Sequence, residues 1–183
     1  MNITEFKEEA LKIKSTFVFN KENEKIFQAL LNQTNKGVLI IGGIGTGKTC
    51  IMKLFNEVLK NKNIRYFIFA DARDISFDFM CKGYAATEKY YKIELSREDS
   101  ITTKYPNLII DDLGIENAFI NYYGTQEDVI SNILFLRHSK KTLTCATTNL
   151  SLDMLKKRYG DRLFDRFKEM FDIFYLTGKS KRK

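Results

Sequence analysis

Gly42-Gly43-Ile44-Gly45-Thr46-Gly47-Lys48-Thr49 fits the phosphate-binding spacing G-x-x-x-x-G-K-[ST] at each fixed position. Four of the ten glycines in the chain fall within this stretch. A backbone that curls its N–H groups around a phosphate needs positive φ and no side chains in the way, and glycine supplies both cheaply. Lys48 then offers a point charge to the β- and γ-phosphates, and the Thr49 hydroxyl a ligand for Mg²⁺. Cys50, the next residue, is counted with the nucleotide-binding loop, its thiol read as a packing group.

Three further groups could join this chemistry. Asp111 and Asp112 end the apolar run LIIDDLG: one acid to hold Mg²⁺, the other to orient and deprotonate an attacking water. Thr147, Thr148 and Asn149 end the expected strand in CATTNLS, where the Asn149 amide can bond a γ-phosphate and the water without adding charge. Arg162 and Arg166 lie four apart in YGDRLFDRF and share one helix face, with Arg158 upstream. They serve either in surface ion pairs with Asp161, Asp165 or Glu169, or as an arginine finger offered to a neighbouring subunit's nucleotide.

Elements must bring these residues together. Val38–Ile41 is an apolar run suited to a buried parallel strand, and Cys50–Lys60 carries Ile51, Leu54, Phe55, Val58 and Leu59 at helical spacing, with Lys53, Asn56, Glu57 and Lys60 on the other face. Upstream, Asn2 with Glu5 starts a helix to about Lys14, Phe17-Val18-Phe19 forms an apolar contact segment, and a second helix from Asn20 presents Ile26, Phe27, Leu30 and Leu31. Downstream, strands are expected over Ile64–Ala70, Leu108–Ile110, Thr142–Thr147 and Asp172–Leu176. Helices are expected from about Phe77, over Gln126–His138, from the Ser151 cap to Gly160, and over Asp161–Met170. Strands alternating with helices give a parallel sheet covered on both faces, whose carboxyl ends form the ligand edge. The stretch from Asp71 to Thr103 shows the least pattern.

At 183 residues the chain is read as one domain. It has no apolar run of membrane-span length and no signal-peptide core, which places it in the cytoplasm with no membrane partner. Three scattered cysteines suit neither a disulfide framework nor a zinc site, and His138, the sole histidine, argues against histidine-based metal or hydrolytic chemistry. The net charge is +7, of which Lys179, Lys181, Arg182 and Lys183 contribute a compact basic tail. Arg65, Arg73, Arg97 and Arg137 are too scattered to form the arginine-rich lid of a small-molecule kinase.

GGIGTGKT, LIIDDLG, ATTNLS and RYGDRLFDRF, in this order, resemble the AAA+ ATPases, and within them the DnaC/IstB group of helicase loaders and transposon ATPases. The resemblance runs from about Asn35 to Lys183. It implies a three-layer α/β P-loop NTPase of AAA+ type with a five-stranded parallel sheet in the order 5-1-4-3-2, and ATP with Mg²⁺ as cofactors. It assigns Gly42–Cys50 to Walker A, Asp111 and Asp112 to Walker B and Asn149 to sensor 1. Arg166 becomes the trans arginine finger, Arg162 the second choice, within an ATP-dependent homo-oligomer. The second acid in the wider family is usually Glu, so the shorter Asp112 implies slow turnover. The sequence stops about seven residues past its last expected strand, giving no C-terminal helical lid domain.

The domain reading is then an N-terminal helical segment over 1–35 packing on the core, an AAA+ P-loop ATPase domain over 36–178 and the basic tail over 179–183. The function implied is an ATPase of DNA replication, a DnaC-like loader acting on single-stranded DNA and a replicative helicase. An IstB-like partner of a transposase is the alternative, and a non-hydrolysing nucleotide switch the alternative of another class. For DNA, the residues themselves add six tyrosines between Tyr84 and Tyr123, interleaved with Lys82, Lys89, Lys92 and Lys104. Such rings either stack bases or pack on the core.

Overall fold

Runs of four to six apolar residues are too short for buried helices and too apolar for the surface, so they pair. In the computed structural model, which describes residues 1–33, 36–64, 66–97 and 100–178, they form one sheet. Its strands are β1 (Gly37–Gly42), β2 (Ile68–Asp71), β3 (Leu108–Asp111), β4 (Thr144–Thr148) and β5 (Phe171–Leu176). All neighbours are parallel, in the order β2-β3-β4-β1-β5, which is the expected order read from the other edge. Leu39 of β1 sits opposite Ala146 on one side and Ile173 on the other, and Asp71 sits opposite Asp111. The carboxyl ends of all five strands therefore meet at one edge.

Alternation along the strands divides the core in two. Leu39, Ile41, Leu108, Ile110 and Ala146 face one apolar cluster. Helices α4 (Ala72–Lys82), α5 (Val129–Ser139) and α6 (Leu152–Met170) close it with residues such as Phe79, Ile133 and Phe167. Val38, Ile40, Ile109 and Cys145 face the other. It is covered by α1 (Ile3–Ile13), α2 (Lys21–Leu31) and α3 (Lys48–Asn61), with the Phe6 ring in contact with both Phe27 and Phe55 beneath β1.

The helix ends follow their caps. Asn2 Oδ1 accepts the Glu5 N–H, Asn20 caps α2, and Ser151 Oγ accepts the Met154 N–H. Inside α6, Gly160 stands at φ 76°, ψ 163°, and breaks the helix where a residue with a Cβ would be strained. The expected pair of helices meeting at Gly160 is this broken helix.

Several expectations are corrected. Helix α3 begins at Lys48 rather than Cys50, placing Lys48 and Thr49 in its first turn. Asn56 is not on its outer face: it is buried, its amide donating to the Phe67 carbonyl at 2.9 Å and its carbonyl accepting the Phe67 N–H at 2.8 Å. That clamp occupies the backbone just ahead of Ile68, so β2 spans Ile68–Asp71 rather than Ile64–Ala70. Helix α4 starts at Ala72 rather than near Phe77, because the Asp71 carboxylate accepts the Arg73 N–H at 2.8 Å and caps it. The unpatterned stretch and its sequel hold two unforeseen hairpins, Ile93–Arg97 with Ser100–Lys104 and Ile120–Tyr122 with Thr125–Glu127. The second hairpin takes Gln126 and Glu127 away from α5, which Asp128 then caps by accepting the Ser131 N–H at 3.2 Å.

Candidate functional site

The turn from β1 into α3 is built for backbone exposure. Gly45 and Gly47 stand at φ 79° and 106°. A Cβ built on Gly47 meets nothing within 4 Å, so the loop faces open space where a side chain would be strained by the backbone alone. Thr46 fastens the loop from inside, its hydroxyl donating to the Gly43 carbonyl at 2.9 Å. Lys48 is 5% exposed; its Nζ donates to the Gly42 and Gly43 carbonyls, both at 2.9 Å, and to Asn149 Oδ1 at 2.5 Å. The lysine thus ties the loop to the end of β4.

Thr49 Oγ1 donates to Asp111 Oδ1 at 3.0 Å, and Thr147 Oγ1 donates to the same oxygen. Burial pushes the Asp111 carboxyl above its ordinary range; the two hydroxyls favour its charged form, while nearby Asp112 and Asp71 oppose it. Thr147 Oγ1 also accepts the Asp112 N–H at 3.0 Å, helping to hold Asp112 at φ 54°. Asn149 Nδ2 lies 3.4 Å from Asp112 Oδ1. Thr49, Asp111, Asp112, Asn149 and Lys48 are therefore one connected polar group at the carboxyl edge of the sheet. The role of Thr147 was not read from the sequence, although its place two residues before Asn149 on β4 puts it on the same face.

A cleft of about 1240 Å³ opens over this group. Gly45 to Cys50 form one wall; Ile13, Lys14, Phe17, Val18 and Asn20 form another; Arg73, Asp112 and Asn149 close the end. Cys50 lines the cleft half-buried, and Lys14 Nζ donates to its Sγ at 3.2 Å. Arg73, dismissed in the sequence as one of four scattered arginines, reaches the cleft from the first turn of α4, held by Asp71 through Nε at 3.1 Å and Nη2 at 2.9 Å. Its guanidinium draws the Asp71 carboxyl below the usual range.

Among the described residues no group of three or more His, Cys, Asp or Glu converges on a metal position. The donors on hand, the Thr49 hydroxyl and one Asp111 oxygen 3.0 Å apart, are hard oxygens. That set fits Mg²⁺, which takes one or two protein ligands and completes its shell with water and phosphate.

Arg162 and Arg166 lie away from the cleft. Both guanidinium groups stack on Phe135, at 5.6 and 5.1 Å from the ring centre, and Arg166 Nη1 donates to the Arg162 carbonyl at 2.9 Å. Their expected acidic partners are engaged elsewhere: Asp161 with Lys156, Asp165 with Lys168 and Glu169 with His138. The tyrosines divide. Tyr90 is buried and Tyr91 and Tyr122 pack on the core, whereas Tyr123 stands 93% exposed at the tip of the second hairpin. The basic tail over 179–183 lies outside the described residues.

Strand order, phosphate loop and helix placement define a P-loop α/β fold of AAA+ type. The chain is structurally similar to the DnaC and DnaI helicase loaders and the AAA+ domain of DnaA. A putative primosome component from Streptococcus pyogenes serotype M3 is 20% identical, with 92% of this chain and 87% of that one covered and a TM-score of 0.66. A DnaC helicase loader is 19% identical, with 90% and 96% covered and a TM-score of 0.66. DnaA from Aquifex aeolicus, bound to AMPPCP, is 18% identical, with 91% and 50% covered and a TM-score of 0.61. No protein-family model and no curated protein matches the sequence. At these identities the likeness is one of fold. No helix among the described residues is long and apolar enough to cross a membrane.

Proposed function

We propose that this protein is an ATP-binding, slowly hydrolysing AAA+ protein of DNA replication, a helicase loader that acts on single-stranded DNA and a replicative helicase in the cytoplasm. The observation that carries the reading is the connected group Lys48–Asn149–Asp112 and Thr49–Asp111 at one end of the cleft. The Gly42–Lys48 loop and Lys48 Nζ bind the β- and γ-phosphates, with Cys50 at the cleft wall. Thr49 and Asp111 hold Mg²⁺, whose chemistry is to neutralise charge on the phosphates. Asp112 takes the proton of the attacking water and Asn149 orients that water. Arg166, or Arg162 in its place, reaches a neighbouring subunit's nucleotide in a homo-oligomer. The similarity to a helicase loader, and to a DnaA bound to AMPPCP and single-stranded DNA, supports the choice of nucleotide, DNA and partner.

The test is phosphate release from ATP with and without single-stranded DNA, with light scattering for mass and a pull-down against a replicative helicase. Stimulated release, a larger particle in ATP and helicase capture are expected. ATP binding without release makes the protein a nucleotide switch, and capture of a transposase instead of a helicase moves it to the IstB-like role.

A further inference from the structure

Away from the cleft the chain buries a cluster of ions. The Glu116 side chain is 0% exposed and that of Arg158 12%. Arg158 Nη2 donates to Glu116 Oε1 at 2.8 Å and Nη1 to Asp128 Oδ2 at 2.7 Å. The Tyr159 hydroxyl donates to the same Glu116 oxygen at 2.7 Å, and Glu116 Oε2 accepts the Gly114 N–H at 2.8 Å. Among the described residues, Arg158 Nε is the one buried side-chain nitrogen or oxygen without a hydrogen-bond partner.

Stability is a poor account of this cluster. Desolvating two charges costs much of what their attraction returns, and an apolar replacement of similar volume is often no less stable. Its position supplies a better account. Glu116 belongs to the turn that follows β3, which runs through Asp112 at φ 54° and Gly114 at φ 93°. β4 pins one side of that turn: Thr147 accepts the Asp112 and Leu113 N–H groups, and the Thr148 hydroxyl donates to the Leu113 carbonyl. Glu116 pins the other side through Gly114. A non-glycine residue at positive φ persists only where its surroundings hold it there. The far end of the cluster is on α6: Arg158 and Tyr159 immediately precede the break at Gly160, and Arg162 and Arg166 follow it.

We propose that Glu116 and Arg158 are positioning residues of the nucleotide site, fixing the turn that presents Asp112 and coupling it to the helix that carries Arg162 and Arg166. The inference rests on the cleft binding a nucleotide and not on turnover.

The experiment compares Glu116→Gln, Arg158→Met and the double variant with the unaltered protein. Glutamine has one acceptor oxygen, so it cannot serve both Gly114 and Arg158. Hydrogen exchange is followed over 112–116 and 155–163 on adding Mg²⁺ and a non-hydrolysable ATP analogue, alongside kcat, KM and Tm. Leu59→Ala, near the far end of α3 in the apolar cluster on the opposite face of the sheet, is the stability comparison.

The unaltered protein should slow exchange in both segments. Glu116→Gln should bind the analogue with unchanged affinity and lose the response over 155–163, with kcat down roughly 10–100-fold, the scale of a small misplacement of a reacting group. The double variant removes both buried charges and leaves Asp128, whose side chain is 21% exposed, with the Ser131 N–H; it should regain Tm without regaining kcat or the exchange response. Leu59→Ala should lower Tm alone. A response over 155–163 that survives Glu116→Gln, or kcat that returns with Tm in the double variant, overturns the proposal. An unaltered protein that binds no nucleotide overturns the reading of the cleft and this proposal with it. If it binds nucleotide but releases no phosphate, only the hydrolytic reading falls, and the exchange response alone decides the coupling.

Discussion

Asn149→Asp changes the charge balance at the phosphate loop while keeping the shape of the side chain. Asn149 now places an oxygen 2.5 Å from Lys48 Nζ and an amide nitrogen 3.4 Å from Asp112 Oδ1. Aspartate keeps the first contact as an ion pair and turns the second into carboxylate against carboxylate. At an effective dielectric constant of about 20, the attraction is about 7 kcal/mol and the repulsion about 5 kcal/mol. The difference of about 2 kcal/mol is opposed by the cost of desolvating the added carboxylate beside the buried Lys48, so Tm should shift little. A nucleotide meets a different balance. A phosphate oxygen bonded to Lys48 at about 2.9 Å lies roughly 5–6 Å from the new carboxylate. One added charge at about 6 Å costs about 2.8 kcal/mol at the same dielectric constant, about a hundredfold in Kd. Asn149→Ala adds no charge and should leave Kd nearly unchanged while lowering kcat. Titration with a fluorescent ATP analogue, paired with thermal melts, reads both effects. Equal Kd values for the two variants would refute the reasoning, because Lys48 and Asn149 would then not face the phosphates.

Lys48→Ala should abolish ATP binding or turnover, as the phosphates lose their nearest charge; unchanged ATPase activity removes Lys48 from the site. Arg166→Ala should spare ATP binding and depress hydrolysis, and mixing it with Asp112→Asn should restore activity if the finger acts in trans, whereas no rescue leaves Arg166 a surface residue. Asn56→Ala strands the buried N–H and C=O of Phe67. At about 1–3 kcal/mol for each group the loss is on the order of 3 kcal/mol, or roughly 6–12 °C in Tm for a domain of this size. A melt shifted by less than about 2 °C, well under that scale, discounts the clamp.

What could be read from the sequence was what local chemistry dictates. The glycines of the phosphate loop have few other uses, and an acid at the end of an apolar strand has to lie at the sheet edge with its parallel neighbours. Asn149 gained meaning only in company with both. Long-range pairing was out of reach. Asn56 looks like an outer-face residue because its partner, Phe67, is eleven positions away and uses its backbone alone. Arg137 is different, since a signal was present: it falls on the stripe of Ile130, Ile133 and Leu134. It is 1% exposed, donates to the Tyr90 and Leu143 carbonyls and to Thr144 Oγ1, and burial brings its guanidinium pKa down to about 9. Its charge hid it. The strands of the second hairpin, three residues each, are too short for alternation to show.

The far wall of the cleft belongs to the stretch between α1 and α2, from Ile13 to Asn20. The two helices hold that stretch through Phe6, Phe27 and their neighbours beneath β1. A nucleotide in the cleft therefore rests partly on a layer outside the sheet's own crossovers. By linkage, a displacement of α1 and α2 that weakens a bound nucleotide by some factor is itself opposed by that nucleotide by the same factor. If the cleft takes the proposed nucleotide, the N-terminal helices become a lever on it, and it a latch on them.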